Sequence, residues 1–228
     1  HPHPQGDQAP ESPPSHPSCT LCNCPQDNLG LHCMLQCRFQ NKQIIHNTCL
    51  ADFKLFVKET HMGVHVKEEP RHIFKPGFEE DNRRGDIYME FGNKKYIIDF
   101  KIQGHTSRNG SLRSLQSSIN AKERATITSY KNIKDEYTFI PFVIGINGQF
   151  GKIASKFLRT LCDYMVSLGI YQKWHFYQLF LNNWHCSLTR GISLALDNYV
   201  NKCANQANPA NATAQRHAIH LDIRDHRT

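Results

Sequence analysis

The sequence lacks any apolar run approaching the roughly 20 residues that a membrane-spanning helix needs, so no membrane partner is expected. It has no internal repeat, which excludes repeat architectures. The glycines between 104 and 110 lack the order of a phosphate-binding P-loop, and no Ser-His-Asp arrangement stands out. The first residues have neither an initiator Met nor the basic-then-apolar pattern of a signal peptide. We therefore expect a protein that is not secreted, and either a piece of a longer chain or a processed one.

Acidic residues are in the minority, with 20 against 27 basic residues and a formal net charge of +7. This imbalance favours an anionic partner, most simply nucleic acid. Five of the nine cysteines lie between Cys19 and Cys37. A disulfide scaffold would spread its cysteines more evenly and would usually carry a secretory signal. The clustering predicts a metal site in a reducing compartment.

Composition and hydrophobic patterning divide the chain into five regions. The first is rich in Pro, His, Gln and Ser, and this composition predicts disorder. The predicted regions are a disordered segment at 1–18, a cysteine and histidine cluster at 19–45, an α/β domain at 46–168, a helical extension at 169–206 and a flexible tail at 207–228.

The third region alternates helical and strand-like patterns. The predicted elements are a helix capped by Asn47 or Thr48, a short strand at Val64–Val66, a hairpin around Gly92-Asn93, a helix from Asn120 to Lys134, a strand at Thr138–Ile146 and a helix from Lys152 to Ser167. This order predicts an α/β fold with a small mixed sheet flanked by helices. Trp174 and Trp184 both fall in helical patterns and are predicted to pack in the core.

The cysteine cluster has the spacing of a zinc site. Cys19-x-x-Cys22 is followed by His32-x-x-x-x-Cys37, and zinc prefers four nitrogen or sulfur ligands in a tetrahedron. Four protein ligands leave no open position, so the predicted role is structural. Four nearby residues remain alternative ligands, namely Cys24, Cys33, His46 and Cys49.

The hairpin carries charge inside apolar strands. Alternation places Asp99 and Lys101 on the same face of the second strand, while Asp86 opens the first strand. A buried Asp and Lys are costly to desolvate without partners. An exposed charged hairpin is the simple alternative, but the apolar neighbours Ile97, Ile98 and Phe100 argue against it.

A divalent metal ion together with a phosphate suits both charges. Phosphodiester cleavage needs a hard cation held by carboxylates, a group that activates water and positive charge near the phosphate. Asp86 and Asp99 can supply the carboxylates, and the backbone carbonyl of Phe100 can be a further ligand. Lys101 can orient water or neutralise the phosphate, and Glu69 can add a carboxylate from the neighbouring strand.

Taken together, these motifs resemble a known family. Asp86 followed by Asp99-x-Lys101 across a hairpin is similar to the PD-(D/E)xK, or restriction-endonuclease-like, superfamily. The whole order narrows the resemblance to the zinc knuckle and endonuclease domain at the C-terminal end of non-LTR retrotransposon reverse transcriptase polyproteins. The motifs that carry it are Cys-x-x-Cys…His-x-x-x-x-Cys, His46-Asn47, Glu69-Pro70, Arg84-Gly85-Asp86, Asp99-x-Lys101, Tyr130 and Phe139-x-Pro141.

The resemblance implies a role for each matching residue. Asp86 and Asp99 would bind Mg²⁺ or Mn²⁺, Lys101 would serve the water and the phosphate, Glu69 would be an accessory acid, and Tyr130 would lie beside the site. The domain would nick one DNA strand in the nucleus, with the element's RNA as a further possible partner. An upstream reverse transcriptase domain of the same polyprotein would extend the exposed end.

Two other functions remain open from the sequence. One is a free-standing nuclease of host DNA repair or RNA processing. The other is an inactive remnant that only binds nucleic acid, although the intact Asp86, Asp99 and Lys101 argue against lost chemistry. Phosphate contacts are expected from basic residues, namely Arg83, Arg84, Lys94, Lys95, Arg108, Arg113, Lys122, Arg124, Lys131 and Lys134.

Overall fold

A computed structural model describes residues 18, 19, 21, 22, 37, 41–59, 65–68, 70–77, 84–104 and 114–207 of the chain. Within these ranges the chain is mixed α/β, as its pattern predicts. The elements are α1 (Asn41–Glu59), β1 (His65–Glu68), β2 (Ile87–Phe91), β3 (Lys94–Gln103), α2 (Leu115–Ser129), β4 (Tyr137–Gly145), α3 (Lys152–Ser167) and α4 (Lys173–Ala207). None of the helices in this part of the chain is long and apolar enough to cross a membrane.

The four strands form one mixed sheet in the order β1-β2-β3-β4. The β1–β2 and β2–β3 pairs are antiparallel, and β4 runs parallel to β3. Gly92 and Asn93 join β2 to β3 with φ angles of 55° and 59°. A turn with two positive φ angles matches the twist of a hairpin, which is why Gly and Asn occur there. The predicted hairpin and mixed sheet are confirmed.

The sheet is buried on both faces along β3. Ile98 and Phe100 point into the main core, where α1, α3 and α4 pack. Ile97 points to the opposite face and packs against Tyr130. On that same face α2 covers Val143 of β4. Because odd and even residues of a strand face opposite sides, Asp99 and Lys101 lie on the α2 side of the sheet.

The long helix α4 packs closely on α1. Gly191 faces α1 directly, where an added Cβ would lie 3.1 Å from the Cα of Ile45 and 3.4 Å from the Cβ of Thr48. A Cβ at this distance would press on the backbone of α1, so glycine lets the two helices lie this close. The ion pair between Arg190 and Asp52 joins the same two helices beside this point.

Two predicted helices begin earlier than expected. α1 begins at Asn41, so the predicted cap at Asn47 or Thr48 is wrong and the predicted boundary at 45/46 falls inside this helix. α2 spans Leu115–Ser129 rather than Asn120 to Lys134, because the Ser114 side chain accepts a hydrogen bond from the amide of Ser117 and caps the helix there. The remaining predicted strands and helices agree with the structure within one or two residues.

The two tryptophans have different environments. Trp184 is 2% exposed within the main core, as predicted. Trp174 is 62% exposed, so the prediction of core packing is wrong for this residue. Trp174 lies in the first turn of α4, where its indole NH donates to Gln172 and its ring stacks on His175.

We expect Gly191→Ala to lower the free energy of unfolding by about 1–3 kcal/mol, the usual cost of overpacking. Alanine favours helices by about 1 kcal/mol over glycine, so an exposed site would show the opposite sign. Chemical denaturation measures the difference. Ser193→Ala, at an exposed position of the same helix, is the control and is expected to be neutral or slightly stabilising. A stabilised Gly191→Ala protein would contradict the close approach of α1 and α4.

Candidate functional site

Asp99 is a buried carboxylate in the middle of the central strand. Its residue is 3% exposed, and the ammonium Nζ of Lys101 lies 2.8 Å from its Oδ2. The hydroxyl of Tyr130 lies 3.2 Å from its Oδ1. Burial raises the pKa of Asp99, the positive charge of Lys101 opposes this, and the negative charge of Asp86 adds to it. Strand alternation predicts that Asp99 and Lys101 lie on one face of β3, and the ion pair between them agrees with this prediction.

Tyr130 holds Asp99 from the end of α2. The ring stacks on Phe139 of β4, with the two centroids 4.2 Å apart. Its single O–H lies 2.6 Å from the backbone carbonyl of Arg84 and is shared with Asp99. The phenol therefore connects the segment before β2 with the carboxylate on β3, which gives both a defined position.

Asp86 lies immediately before β2 and is also anchored to β3. β2 begins at Ile87, which pairs with Ile98, so the next part of β3 has no strand partner on this side among the described residues. The backbone amide of Phe100 instead donates to Oδ2 of Asp86 at 2.6 Å. Gly85 makes this approach possible, since an added Cβ would lie 2.5 Å from Cγ2 of Ile97.

His46 lies against this site, although the sequence suggested it as an alternative zinc ligand and as part of the His46-Asn47 motif of the resemblance, with no role beside Asp86. It lies on α1, and its Nε2 is 3.3 Å from Oδ2 of Asp86. Burial lowers the pKa of His46, but the hydrogen bond and charge of Asp86 outweigh this and raise it. Burial alone would raise the pKa of Asp86, yet the same contact with His46 and the amide of Phe100 lower it. The sequence signal, a histidine six residues into a helix, depends on knowing where α1 begins.

Three lysines add positive charge to the same region. The pKa of Lys42 falls to about 8, first because of burial and then because of the positive charges of Lys122 and Lys101. These residues come from α1, α2 and β3 respectively. Charges of one sign on three different elements favour an anion between them.

The structure thus brings together four predicted residues, Asp86, Asp99, Lys101 and Tyr130, and adds His46 and Lys42 from α1. The fifth predicted residue, Glu69, lies outside the described residues. Two carboxylates, a phenol, a histidine and lysines therefore lie close together around β3.

The cysteine cluster forms a second site. Cys19, Cys22 and Cys37 offer sulfur atoms that all lie within 4.8 Å of one another. Three convergent sulfurs are compatible with structural zinc, which prefers thiolate ligands. The predicted fourth ligand His32 and the alternatives Cys24 and Cys33 lie outside the described residues.

The other two alternatives for zinc are ruled out by position. His46 lies against Asp86, as described above. Cys49 is buried in the main core, where burial and the negative charge of Asp52 raise the pKa of its thiol to about 12. A thiol held neutral in an apolar core is a poor metal ligand. Neither residue lies in the cysteine cluster.

The thiol of Cys19 has a lowered pKa, which favours metal binding. Burial raises its pKa, but hydrogen bonds from Tyr199, from the backbone amides of Leu21 and Cys22 and from the Cys22 thiol outweigh this and hold it at about 6. A thiol with this pKa is largely a thiolate at neutral pH, and the thiolate is the form that binds metals.

No protein-family model matches the chain, and no curated protein matches it at a significant level.

The contact between His46 and Asp86 predicts a pH-dependent stability. The pKa of His46 is raised on folding, so its contribution is complete below its ordinary value of 6.5 and is lost as pH rises through the raised value. The lowered pKa of Asp86 keeps its own contribution present above its ordinary value of 3.8. We therefore expect His46→Gln to cost about 1–2 kcal/mol at about pH 6 and less at about pH 9, measured by denaturation without divalent cations. The exposed His185→Gln is the control, and equal costs at both pH values would contradict the contact.

The cysteine cluster predicts metal content. Purified protein is expected to contain about one zinc ion per chain. Cys22→Ser should lose most of it, because a hydroxyl replaces one of three thiolates. Cys186→Ser, at an exposed position on α4, should keep it. Elemental analysis of the three proteins measures zinc per chain. A folded wild-type protein without zinc would contradict the assignment.

Proposed function

We propose that this chain is a metal-dependent DNA endonuclease with a restriction-endonuclease-like core, the strand-nicking domain of a retroelement reverse transcriptase polyprotein. The observation that carries the proposal is the meeting of Asp86, Asp99, Lys101 and Tyr130 around one strand. The sequence resemblance selects these four residues without knowledge of their positions. Asp86, Asp99 and Lys101 share one hairpin, and Tyr130 joins them from α2, 31 residues further along the chain than Asp99.

The order of elements supports the same proposal. The resemblance implies a helix, a strand, a hairpin with Asp and Asp-x-Lys, a second helix and a further strand. The chain has α1, β1, the β2-β3 hairpin, α2 and β4 in that order. The metal site would therefore lie on the central strand of a mixed sheet, covered on its own face by the helix that ends in Tyr130.

The two carboxylates have the chemistry that Mg²⁺ or Mn²⁺ prefers. Asp86 and Asp99 supply hard oxygen ligands, and a carboxylate of Glu69 would complete the set. When bound, the cation supplies charge that neutralises the phosphate and lowers the pKa of attacking water. The raised pKa of Asp99 fits this role, because a buried carboxylate beside a second negative charge is relieved when a cation binds.

The lysines and Tyr130 supply the remaining functions. Lys101 is about a third exposed at its side chain, so its ammonium reaches both Asp99 and solvent where a phosphate would lie. From there it orients water or neutralises charge that develops on the phosphate. Lys42 and Lys122 lie near enough to Lys101 to add to its positive charge, and such charge would attract a nucleic acid backbone. Tyr130 contacts no phosphate in this scheme and acts by holding Asp99 in position.

The rest of the chain is in keeping with a retroelement origin. The cysteine cluster precedes the α/β domain, as a zinc knuckle precedes the endonuclease in the polyproteins that this sequence resembles. The net charge of +7 favours DNA, with RNA of the element as a further partner. In this proposal the protein acts in the nucleus, and the upstream reverse transcriptase domain extends the strand that it nicks.

We expect wild-type protein with Mg²⁺ or Mn²⁺ to convert supercoiled plasmid into the nicked form. Asp99→Asn should reduce the rate by about 100-fold or more, because it removes a metal ligand charge. The same variant should keep or raise the unfolding temperature, since a neutral amide relieves a carboxylate whose charge is disfavoured by burial. Asp163→Asn, an exposed aspartate paired with Lys173, is the matched control and should nick normally.

Three outcomes would contradict the proposal. Equal nicking by wild type and Asp99→Asn would remove Asp99 from the chemistry. Nicking that survives complete removal of divalent cations would exclude the metal mechanism. Wild-type protein that binds DNA and never nicks it would favour the inactive nucleic-acid-binding alternative.

A further inference from the structure

The cysteine cluster lies where the beginning of α1 meets the end of α4. Cys37 is four residues before Asn41, the first residue of α1. Tyr199 and Cys203, from the last turns of α4, pack against Cys19, Leu21 and Cys37. The two helices are far apart in sequence, and the cluster touches both.

Tyr199 makes a polar contact with the cluster. Its hydroxyl oxygen lies 3.5 Å from Sγ of Cys19, across 180 residues of sequence. A phenol O–H donates readily to a sulfur that carries negative charge. Groups that hydrogen-bond to metal ligands orient those ligands and tune their affinity, so the phenol has the geometry of an outer partner of the metal site.

A second polar contact joins the same helix ends directly. The side-chain amide of Asn198 donates to Oδ1 of Asn41 at 2.7 Å. Asn41 is only 1% exposed, so a polar side chain at this position needs a partner. Asn198 directly precedes Tyr199, and Asn41 closely follows Cys37. The cysteine cluster and this hydrogen bond therefore both lie at the junction of the two helix ends.

We propose that zinc bound by Cys19, Cys22 and Cys37 clamps the start of α1 to the end of α4, and that Tyr199 is the positioning residue that joins the metal site to α4. The clamp runs from α1 through Cys37, the metal and Cys19 to Tyr199. The hydrogen bond between Asn198 and Asn41 also joins the ends of the two helices at this junction.

The clamp concerns stability and does not depend on the proposed nuclease. A metal bound by Cys19, Cys22 and Cys37 would cross-link these three positions, and a metal cross-link contributes its binding free energy to the folded state. Helix ends open more readily than helix centres, so the effect is expected at the two ends that meet the cluster. The start of α1 carries Lys42 and His46, and the clamp therefore supports the helix turns from which these side chains reach the carboxylate site.

The main experiment compares amide hydrogen exchange of the full chain with zinc and after zinc removal by dipicolinate. Loss of zinc is expected to speed exchange at residues 41–46 and 197–207 by about tenfold or more, which corresponds to about 1.4 kcal/mol of local stability. Residues 94–103, in the central strand, serve as the internal reference and should be unchanged. The readout is independent of DNA cleavage, so failure of the nuclease proposal leaves it intact.

Tyr199→Phe tests the positioning role. This variant keeps the ring and removes only the hydroxyl, and we expect it to weaken zinc binding by about 10- to 100-fold in competition with a chelator. It should also speed exchange at residues 197–207 in the presence of limiting zinc. Tyr177→Phe, on the same helix but near its other end, is the matched control and should bind zinc as wild type does.

Several results would overturn the clamp. Unchanged exchange at both helix ends after zinc removal would show that the metal does not join them. Faster exchange over the whole chain, including the central strand, would show a global requirement for zinc instead of a local clamp. Equal zinc affinity of Tyr199→Phe and wild type would remove Tyr199 from the metal site.

Discussion

The burial of a carboxylate in the central strand is the constraint around which the candidate site is arranged. Asp99 is almost inaccessible in β3, and an isolated charge there would cost several kcal/mol. Lys101, two residues along the same face of the strand, offsets this cost with an ion pair. Tyr130, at the end of α2, offsets it with a hydrogen bond. Asp86 adds a second negative charge that works against the first. The local arrangement costs stability, which is typical of a site kept for binding.

Backbone geometry explains how the second carboxylate reaches the first. The chain before β2 passes so close to Ile97 that only glycine fits at Gly85. Where the pairing with β2 stops, the buried amide of Phe100 needs another acceptor, and Asp86 provides one. A glycine also permits a close approach on the other side of the sheet. Gly191 lets α4 lie close to α1, and α4 thereby supports the helix that carries His46. Glycine thus occurs at the two close approaches that bring distant segments to the site.

Local sequence signals predicted the elements whose patterns are complete within a few residues. The β2-β3 hairpin has its Gly-Asn turn, and α3 has regularly spaced apolar residues, so both agree with the structure. The predicted first residues of α1 and α2 are wrong because the first turns of these helices are mostly polar. Their stability comes from tertiary contacts. Asn41 is held by Asn198 from the far end of the chain, and Leu115 packs under β4. Trp174 was misassigned because helical spacing alone does not say which face of α4 meets the core.

The sequence by itself determined that Asp99 and Lys101 share a face, since strand alternation is a property of the backbone. It also determined the Cys-x-x-Cys spacing that allows two thiolates to converge. Only the tertiary structure decided that His46 meets Asp86, that Tyr130 holds Asp99 and that Tyr199 reaches Cys19. These contacts join residues 31 to 180 positions apart. Their formation depends on how helices pack on the sheet, and no local pattern encodes which side chains such packing brings within hydrogen-bonding distance.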